Sequence, residues 1–153
     1  MNVDYRIAQL NIARAVAPLD DVRLAGFMTR LDEINALAER SPGFVWRLQG
    51  SGGNATDVRP GDDPLVIVNL TLWDSIDDLY AFTYRSPHKG VFAQRFEWFE
   101  RWNGPNVVLW WQPVGMLPDL EEALKRLESL ARHGPTAAAF TFKDRFAAPT
   151  TGV

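Results

Sequence analysis

An α+β fold is the class that this sequence predicts, because segments with strand periodicity alternate with segments of helix periodicity along its 153 residues. The predicted elements follow the order strand, helix, strand, strand, helix, strand. This is the order of the ferredoxin-like split βαβ motif, and a further helix and strand form a C-terminal extension. One domain accounts for a chain of this length, so we assign residues 1–153 to a single domain.

The first half of the chain supplies two strands and the helix between them. The first strand alternates between an apolar face and a mixed face, and the mixed face carries Ile7, Gln9 and Asn11. An Asp pair caps the helix, and a Ser-Pro-Gly turn ends it. The predicted bounds are 5–13 for the first strand, 20–41 for the helix, 44–48 for the second strand and 51–63 for a Gly- and Asp-rich loop.

The second half begins with the clearest strand of the chain. Its mixed face carries Asn69, Thr71 and Trp73, and its other face is apolar. A helix follows and is interrupted at Ser86-Pro87, because proline disfavours helical geometry in the residue before it. The predicted bounds are 65–73 for the strand, 76–86 for the helix, 88–102 for a second helical segment, 107–112 for a strand, 118–133 for a helix and 138–142 for a last strand.

The arrangement of these elements predicts a dimer. We expect the first and third strands to be parallel neighbours, and the helices to cover only the apolar face of the sheet. The mixed face would then be covered most simply by a second copy of the chain, because one patch is used twice. A homodimeric α/β barrel follows, with the polar cluster facing the space between sheet and partner.

Composition excludes several classes of function. A net charge of −3 and a pI near 5.3 disfavour nucleic acid and anionic membranes as partners. Without cysteine the chain has no disulfide or thiolate chemistry. We find no phosphate loop, dinucleotide-binding glycine pattern or serine elbow. No signal peptide or bilayer-spanning segment is predicted, so we expect a cytoplasmic protein.

Several segments together resemble a known family. They are AQLNIAR, INALAERSPGFVWRLQ, NLTLWDSIDDLYAFTYRSPH, RFEWFERW, LWWQPVG and HGPTAAAFTF. In this order, over nearly the whole chain, they are similar to the bacterial family called domain of unknown function 3291. The resemblance implies the dimeric α/β barrel superfamily of antibiotic-biosynthesis-type monooxygenases, which also holds isomerases and haem enzymes. It therefore implies a fold and no single activity.

His88 is the strongest catalytic candidate, because an imidazole transfers protons near neutral pH and the residue follows a helix break. Arg95 lies two helical turns further on and could hold an anionic substrate. The alternative for His88 is a structural role at a helix start. Within the superfamily, Asn11 matches in kind and place the asparagine of haem-degrading members, whereas Trp73 and His88 match their partners less closely. No other metal site is predicted.

The polar cluster is the predicted substrate site. Asn11, Gln9 and Asn69 would hold and polarise a substrate oxygen next to Thr71, unless these groups satisfy one another inside the protein. The apolar walls of the pocket are assigned to Trp46 and Trp73.

We therefore expect a small-molecule enzyme, a monooxygenase or isomerase that acts on an aromatic or polyketide-like substrate without a cofactor. Two alternatives remain at this point. One is a haem-binding or haem-dependent enzyme with His88 as the iron ligand. The other is a dimeric protein that binds a ligand in the same cavity without turnover.

Overall fold

A computed structural model describes residues 4–50, 54, 56, 58–86, 90 and 94–149. Within these ranges the chain forms a sheet with helices on both sides. None of the described helices has the length and apolarity that a membrane crossing requires. The elements in chain order are β1 Tyr5–Arg14, a 3-10 turn Val22–Leu24, α1 Ala25–Arg40, β2 Phe44–Arg47, β3 Val66–Trp73, α2 Ile76–Arg85, α3 Arg95–Trp98, β4 Val107–Pro113 and α4 Leu120–His133.

Side-chain caps fix where the helical segments begin. Asp21 accepts a hydrogen bond from the backbone N–H of Arg23 at the 3-10 turn that leads into α1. Ser75 caps α2, and Asp119 caps α4 by accepting from two backbone N–H groups of its first turn. Each cap satisfies backbone donors that have no partner inside the helix. The cap predicted from the Asp pair at residues 20–21 is confirmed at Asp21.

The described strands form an antiparallel sheet in the order β2-β3-β1-β4. This order is consistent with the split βαβ arrangement, and β1 and β3 are neighbours as predicted. The prediction that they are parallel is wrong. The crossover through α1 returns β2 in the direction of β1, and the connection from β2 to β3 then reverses the chain.

The apolar face of the sheet is covered by α4. Arg126 fixes the helix there, because its guanidinium lies 5.3 Å from the Trp110 ring centroid and donates to the backbone carbonyl of Ala138 at 2.6 Å. Burial of so much apolar surface is the main stabilising contribution to this side. The buried residues of this layer are Ala8, Leu10, Ile12, Val68, Leu70, Leu72, Val108, Trp110, Ala123, Leu127, Leu130 and Ala139.

The mixed face of the sheet is covered by α1 and α2. Ala38 and Leu79 pack against Ile7 and Trp73, and Phe27 packs beside the far end of the same face. The prediction of helices on one side only is therefore wrong. Because both faces are covered by the chain itself, the open face on which the predicted barrel depends is not present. No observation tests dimerisation through another surface, so the homodimer stays a prediction.

Two predicted elements are shorter in the structure. The helix around α3 ends at Trp98, and Phe99 is extended because its backbone bridges to Ala15 next to β1. The predicted strand 138–142 is reduced to a bridge, in which Phe140 exchanges two backbone hydrogen bonds with Leu109 at 2.8 and 2.9 Å. At Phe140 the residue itself makes both bonds, whereas at Phe99 they are made by its neighbours: Val16 N–H donates to the Trp98 carbonyl, and Glu100 N–H donates to the Arg14 carbonyl, each at 2.9 Å.

The turn between α1 and β2 requires a glycine at position 43. Gly43 has a φ of 83°, and a Cβ atom there would collide with the Asp78 side chain. We expect Gly43→Ala to lower the free energy of unfolding by more than the roughly 1–2 kcal/mol that a positive φ costs an ordinary residue. Urea unfolding measures the loss.

Gly104→Ala is the matched control. Gly104 has a φ of 88°, and an added Cβ would meet no atom within 4 Å. It should therefore lose only the contribution of the positive φ. Equal losses at the two positions would contradict the contact with Asp78.

Candidate functional site

A cavity of about 500 Å³ lies between the mixed face of the sheet and helices α1, α2 and α3. This volume is in the range that accommodates a small organic molecule. Its inner wall is largely apolar, with Leu79, Phe82 and Trp73 among the residues that line it. The site predicted between two subunits is therefore found inside one chain.

The structure brings most of the predicted site residues to this cavity. The register of β1 and β3 places Gln9 opposite Thr71 and Asn11 opposite Asn69. Paired residues point to the same side of a sheet, so their side chains share one wall. The cavity is lined by Gln9, Asn11, Asn69, Thr71, Trp73 and Arg95.

Two predicted site residues do not join them. Trp46 pairs with Leu72, and it packs against the apolar layer on the opposite side of the sheet. Its assignment to the pocket wall is wrong, because an irregularity between Phe44 and Trp46 changes the alternation of β2. His88 lies outside the described residues, so its proton-transfer role stays a prediction.

A directed hydrogen-bond chain runs along the inner wall. The indole Nε1 of Trp73 donates to Thr71 Oγ1 at 3.0 Å, and Thr71 Oγ1 donates to Gln9 Oε1 at 2.8 Å. An indole N–H can only donate, which fixes the direction of the first bond, and in the second bond the Thr71 hydroxyl donates to the Gln9 carbonyl. Because Gln9 Oε1 is the acceptor, the Nε2 amide group ends the chain as a donor.

Two buried amides on the cavity wall lack protein partners. Gln9 is 8 % exposed, and no described group accepts a hydrogen bond from its Nε2. Asn35 on α1 is 9 % exposed, and its side chain forms no hydrogen bond with the rest of the described chain. The fully enclosed side-chain atoms without a partner in the described chain are Gln94 Oε1 and Arg126 Nε, so the two amides are not sealed off. They face the cavity, where water or a ligand can accept their hydrogen bonds.

Sequence reasoning missed Asn35. The residue lies in the apolar stripe of α1, one turn after Leu31 and next to Ile34. A polar side chain within such a stripe is the signal that could have identified it, because the stripe faces the core. Phe27 and Ala38 on the same stripe were recognised only as packing residues.

The other polar pair of the wall is less enclosed. Asn11 Nδ2 donates to the backbone carbonyl of Asn106 at 3.3 Å, and Asn69 is exposed to the cavity. Asn11 Oδ1 and the Asn69 amide are therefore available to a ligand, whereas the inner amide of Gln9 is held in one orientation by Thr71.

Charged groups gather at the outer end of the cavity. Arg14 donates to Asp63 Oδ2 at 2.7 Å and to Glu100 Oε1 at 3.0 Å, so Glu100 is neutralised by a neighbour. Arg95 and Arg101 each place their guanidinium carbon 4.5 Å from the Phe96 ring centroid. Cations are favoured over an aromatic face, and these contacts hold both arginines at the rim.

The described wall offers few side chains that could bind a metal ion or haem. No group of three or more histidine, cysteine, aspartate or glutamate side chains is present in the described part of the chain. Among the side chains that ligate haem iron, the described lining provides no histidine, cysteine or methionine, but it does include Tyr84. Haem binding through His88 stays a prediction, and we derive no chemical step through it.

Removal of the central hydroxyl should destabilise the inner wall. Thr71→Val keeps the shape of the side chain but leaves the indole N–H of Trp73 and the carbonyl of Gln9 without their partner. We expect the free energy of unfolding to fall by about 1–3 kcal/mol, as for other buried unsatisfied groups. Chemical denaturation measures it. Thr29→Val on the exposed face of α1 is the control, with an expected change below about 0.5 kcal/mol. Equal effects would contradict the chain.

The hydrogen bond from Arg14 lowers the pKa of Asp63 below 3.8, and a hydrogen bond from the Leu65 backbone N–H lowers it further. A depressed folded-state pKa stabilises the fold above the unfolded value and loses this effect as pH falls through the folded value. In Arg14→Gln we expect the Asp63 pKa to rise toward 3.8. Carboxyl chemical shifts followed through an NMR pH titration test this, and an unchanged pKa would contradict the contact.

Comparison with known proteins agrees with this fold. The chain is similar to the crystal structure of the NE2512 protein of unknown function from Nitrosomonas europaea, with a TM-score of 0.51 and 13 % sequence identity. The alignment covers 75 % of this chain and 96 % of that one, and at this identity it shows the fold alone. No curated protein matches the chain. The model of the family described as Domain of unknown function (DUF3291) matches residues 6–152, and this chain therefore belongs to that family.

Proposed function

We propose that the cavity binds a small, largely apolar molecule of aromatic or polyketide-like type, and that Gln9 and Asn35 hold an oxygen atom of that molecule. The observation that carries this proposal is the pair of amides, each about nine-tenths buried and without a protein partner, beside large apolar side chains of the cavity wall. An apolar cavity with a few convergent polar groups is the usual form of a small-molecule site.

The hydrogen-bond chain supports an oxygen acceptor as the bound group. Each donor in a chain polarises the next, so the Gln9 amide is a stronger donor than an isolated one. Its orientation is fixed because Thr71 occupies its carbonyl. A ligand carbonyl, or an oxyanion derived from it, satisfies this donor better than an aliphatic group does.

Ligand binding is better supported than catalysis by the described residues. A monooxygenase or isomerase needs a group that moves a proton, and the sequence assigns that role to His88. The described ionisable groups of the lining are arginines, Tyr84 and Glu100, and Glu100 is engaged by Arg14. Monooxygenase or isomerase chemistry is therefore a second proposal, and it depends on His88. Membership of the superfamily that the sequence resemblance implies is a proposal too.

A matched pair of probes tests the binding proposal. 2-Acetylnaphthalene carries a carbonyl oxygen, and 2-ethylnaphthalene has nearly the same shape without it. We expect the ketone to bind the full chain about tenfold tighter than the hydrocarbon, by calorimetry, because it satisfies buried donors. Asn35→Leu and Gln9→Leu should remove this preference.

Asn35→Leu is the more informative variant, because its amide has no protein hydrogen bond to lose and the fold should be retained. Gln49→Leu on the exposed turn after β2 is the control and should leave both affinities unchanged. The proposal is wrong if neither probe binds, or if the ketone binds no better than the hydrocarbon.

A further inference from the structure

We infer that the ligand is an apolar carboxylic acid, whose carboxylate lies between Arg30 and Arg101 at the mouth of the cavity. This inference rests on the proposed function and adds the charge of the ligand to it. The apolar body of the acid occupies the inner cavity, and its oxygen at the far end meets Gln9 and Asn35.

The distribution of charge is the first argument. The chain carries a net charge of −3, with 19 acidic against 16 basic residues. The described lining of the cavity shows the opposite sign, because its charged side chains are Arg30, Arg47, Arg95, Arg101 and Glu100. A concave surface of one sign concentrates ligands of the other sign, and here that ligand is an anion.

The pairing of these charges is the second argument. Arg47 is bound by Glu39 at 2.9 Å, and Glu100 is bound by Arg14, so these groups are compensated. Arg30 and Arg101 form no ion pair with any other described residue. These two guanidinium groups at the rim therefore have no counterion in the described chain, and an anionic ligand would supply one.

The geometry at Phe96 is the third argument. The guanidinium groups of Arg95 and Arg101 both lie against its ring, although like charges repel. Positive charge is therefore concentrated at this side of the rim. Guanidinium groups bind a carboxylate through two parallel hydrogen bonds, which favours a carboxylate over a spherical ion.

The cavity lining combines buried amides, arginines and large apolar side chains, and this combination selects the class of acid. Buried amides lie at the inner end, arginines at the outer end, and Phe82, Leu79 and Ile34 along the walls. A short polar acid would leave these walls without contacts. A flat or elongated apolar acid with an oxygen at its far end matches all three regions.

The test extends the ketone probe by one charged group. The probes are 6-acetyl-2-naphthoate and 6-acetyl-2-naphthamide, which differ in charge but hardly in shape. At low salt we expect the acid to bind about tenfold tighter than the amide, and the difference to shrink as salt is added. Calorimetry on the full chain measures both dissociation constants.

Two variants test whether the tighter binding of the acid arises from the arginines at the rim. Arg101→Gln and Arg30→Gln should each weaken binding of the acid about five- to tenfold and leave the amide and 2-acetylnaphthalene unchanged. Arg132→Gln is the control, because it also removes one positive charge but from α4, where Arg132 pairs with Glu128.

Each outcome separates the two proposals. If the acid binds no tighter than the amide, or keeps its preference in both arginine variants, the carboxylate site is wrong while the binding cavity stands. If neither the acid nor 2-acetylnaphthalene binds, both proposals fall. Loss of acid binding in Arg132→Gln as well would indicate a general charge effect and overturn the assignment to the rim.

Discussion

The packing of α4 on the apolar face of the sheet is the contact on which the rest of the structure depends. Leu127 and Leu130 cover the central strands, and Arg126 lies over Trp110. With this side closed by apolar burial, the opposite side does not have to form the main core. It can carry polar residues and enclose a cavity without loss of the driving force for folding.

Periodicity predicted the strands and the division of each strand into two faces, because alternation is a local property of the sequence. Gln9, Thr71 and Trp73 were therefore correctly placed on one wall. The helices that pack on each face of the sheet could not be predicted in the same way. Which helix packs on which face is decided by long-range contacts: α4 packs on the apolar face, and α1 and α2 pack on the mixed face, where a partner subunit was expected.

The missed and misplaced residues have local physical reasons. Trp46 was assigned by simple alternation, and a register shift in β2 turned it to the other face. Asn35 was not considered because its helix was interpreted only as a packing stripe. Phe99 was taken as helical, but hydrogen bonds from its neighbours Trp98 and Glu100 to the end of β1 draw it into an extended conformation. In each case a tertiary contact overrides the local pattern.

The direction of the bond from Trp73 to Thr71 has a consequence for selectivity. Because the Thr71 hydroxyl, which accepts from the indole, donates to Gln9 Oε1, the Gln9 amide presents a hydrogen atom and not a lone pair to the cavity. An ammonium group at this point would face the Gln9 N–H with N–H groups of its own, and no hydrogen bond could form. In the proposed binding mode the sheet would therefore reject cationic ligands, in addition to any attraction for the correct molecule.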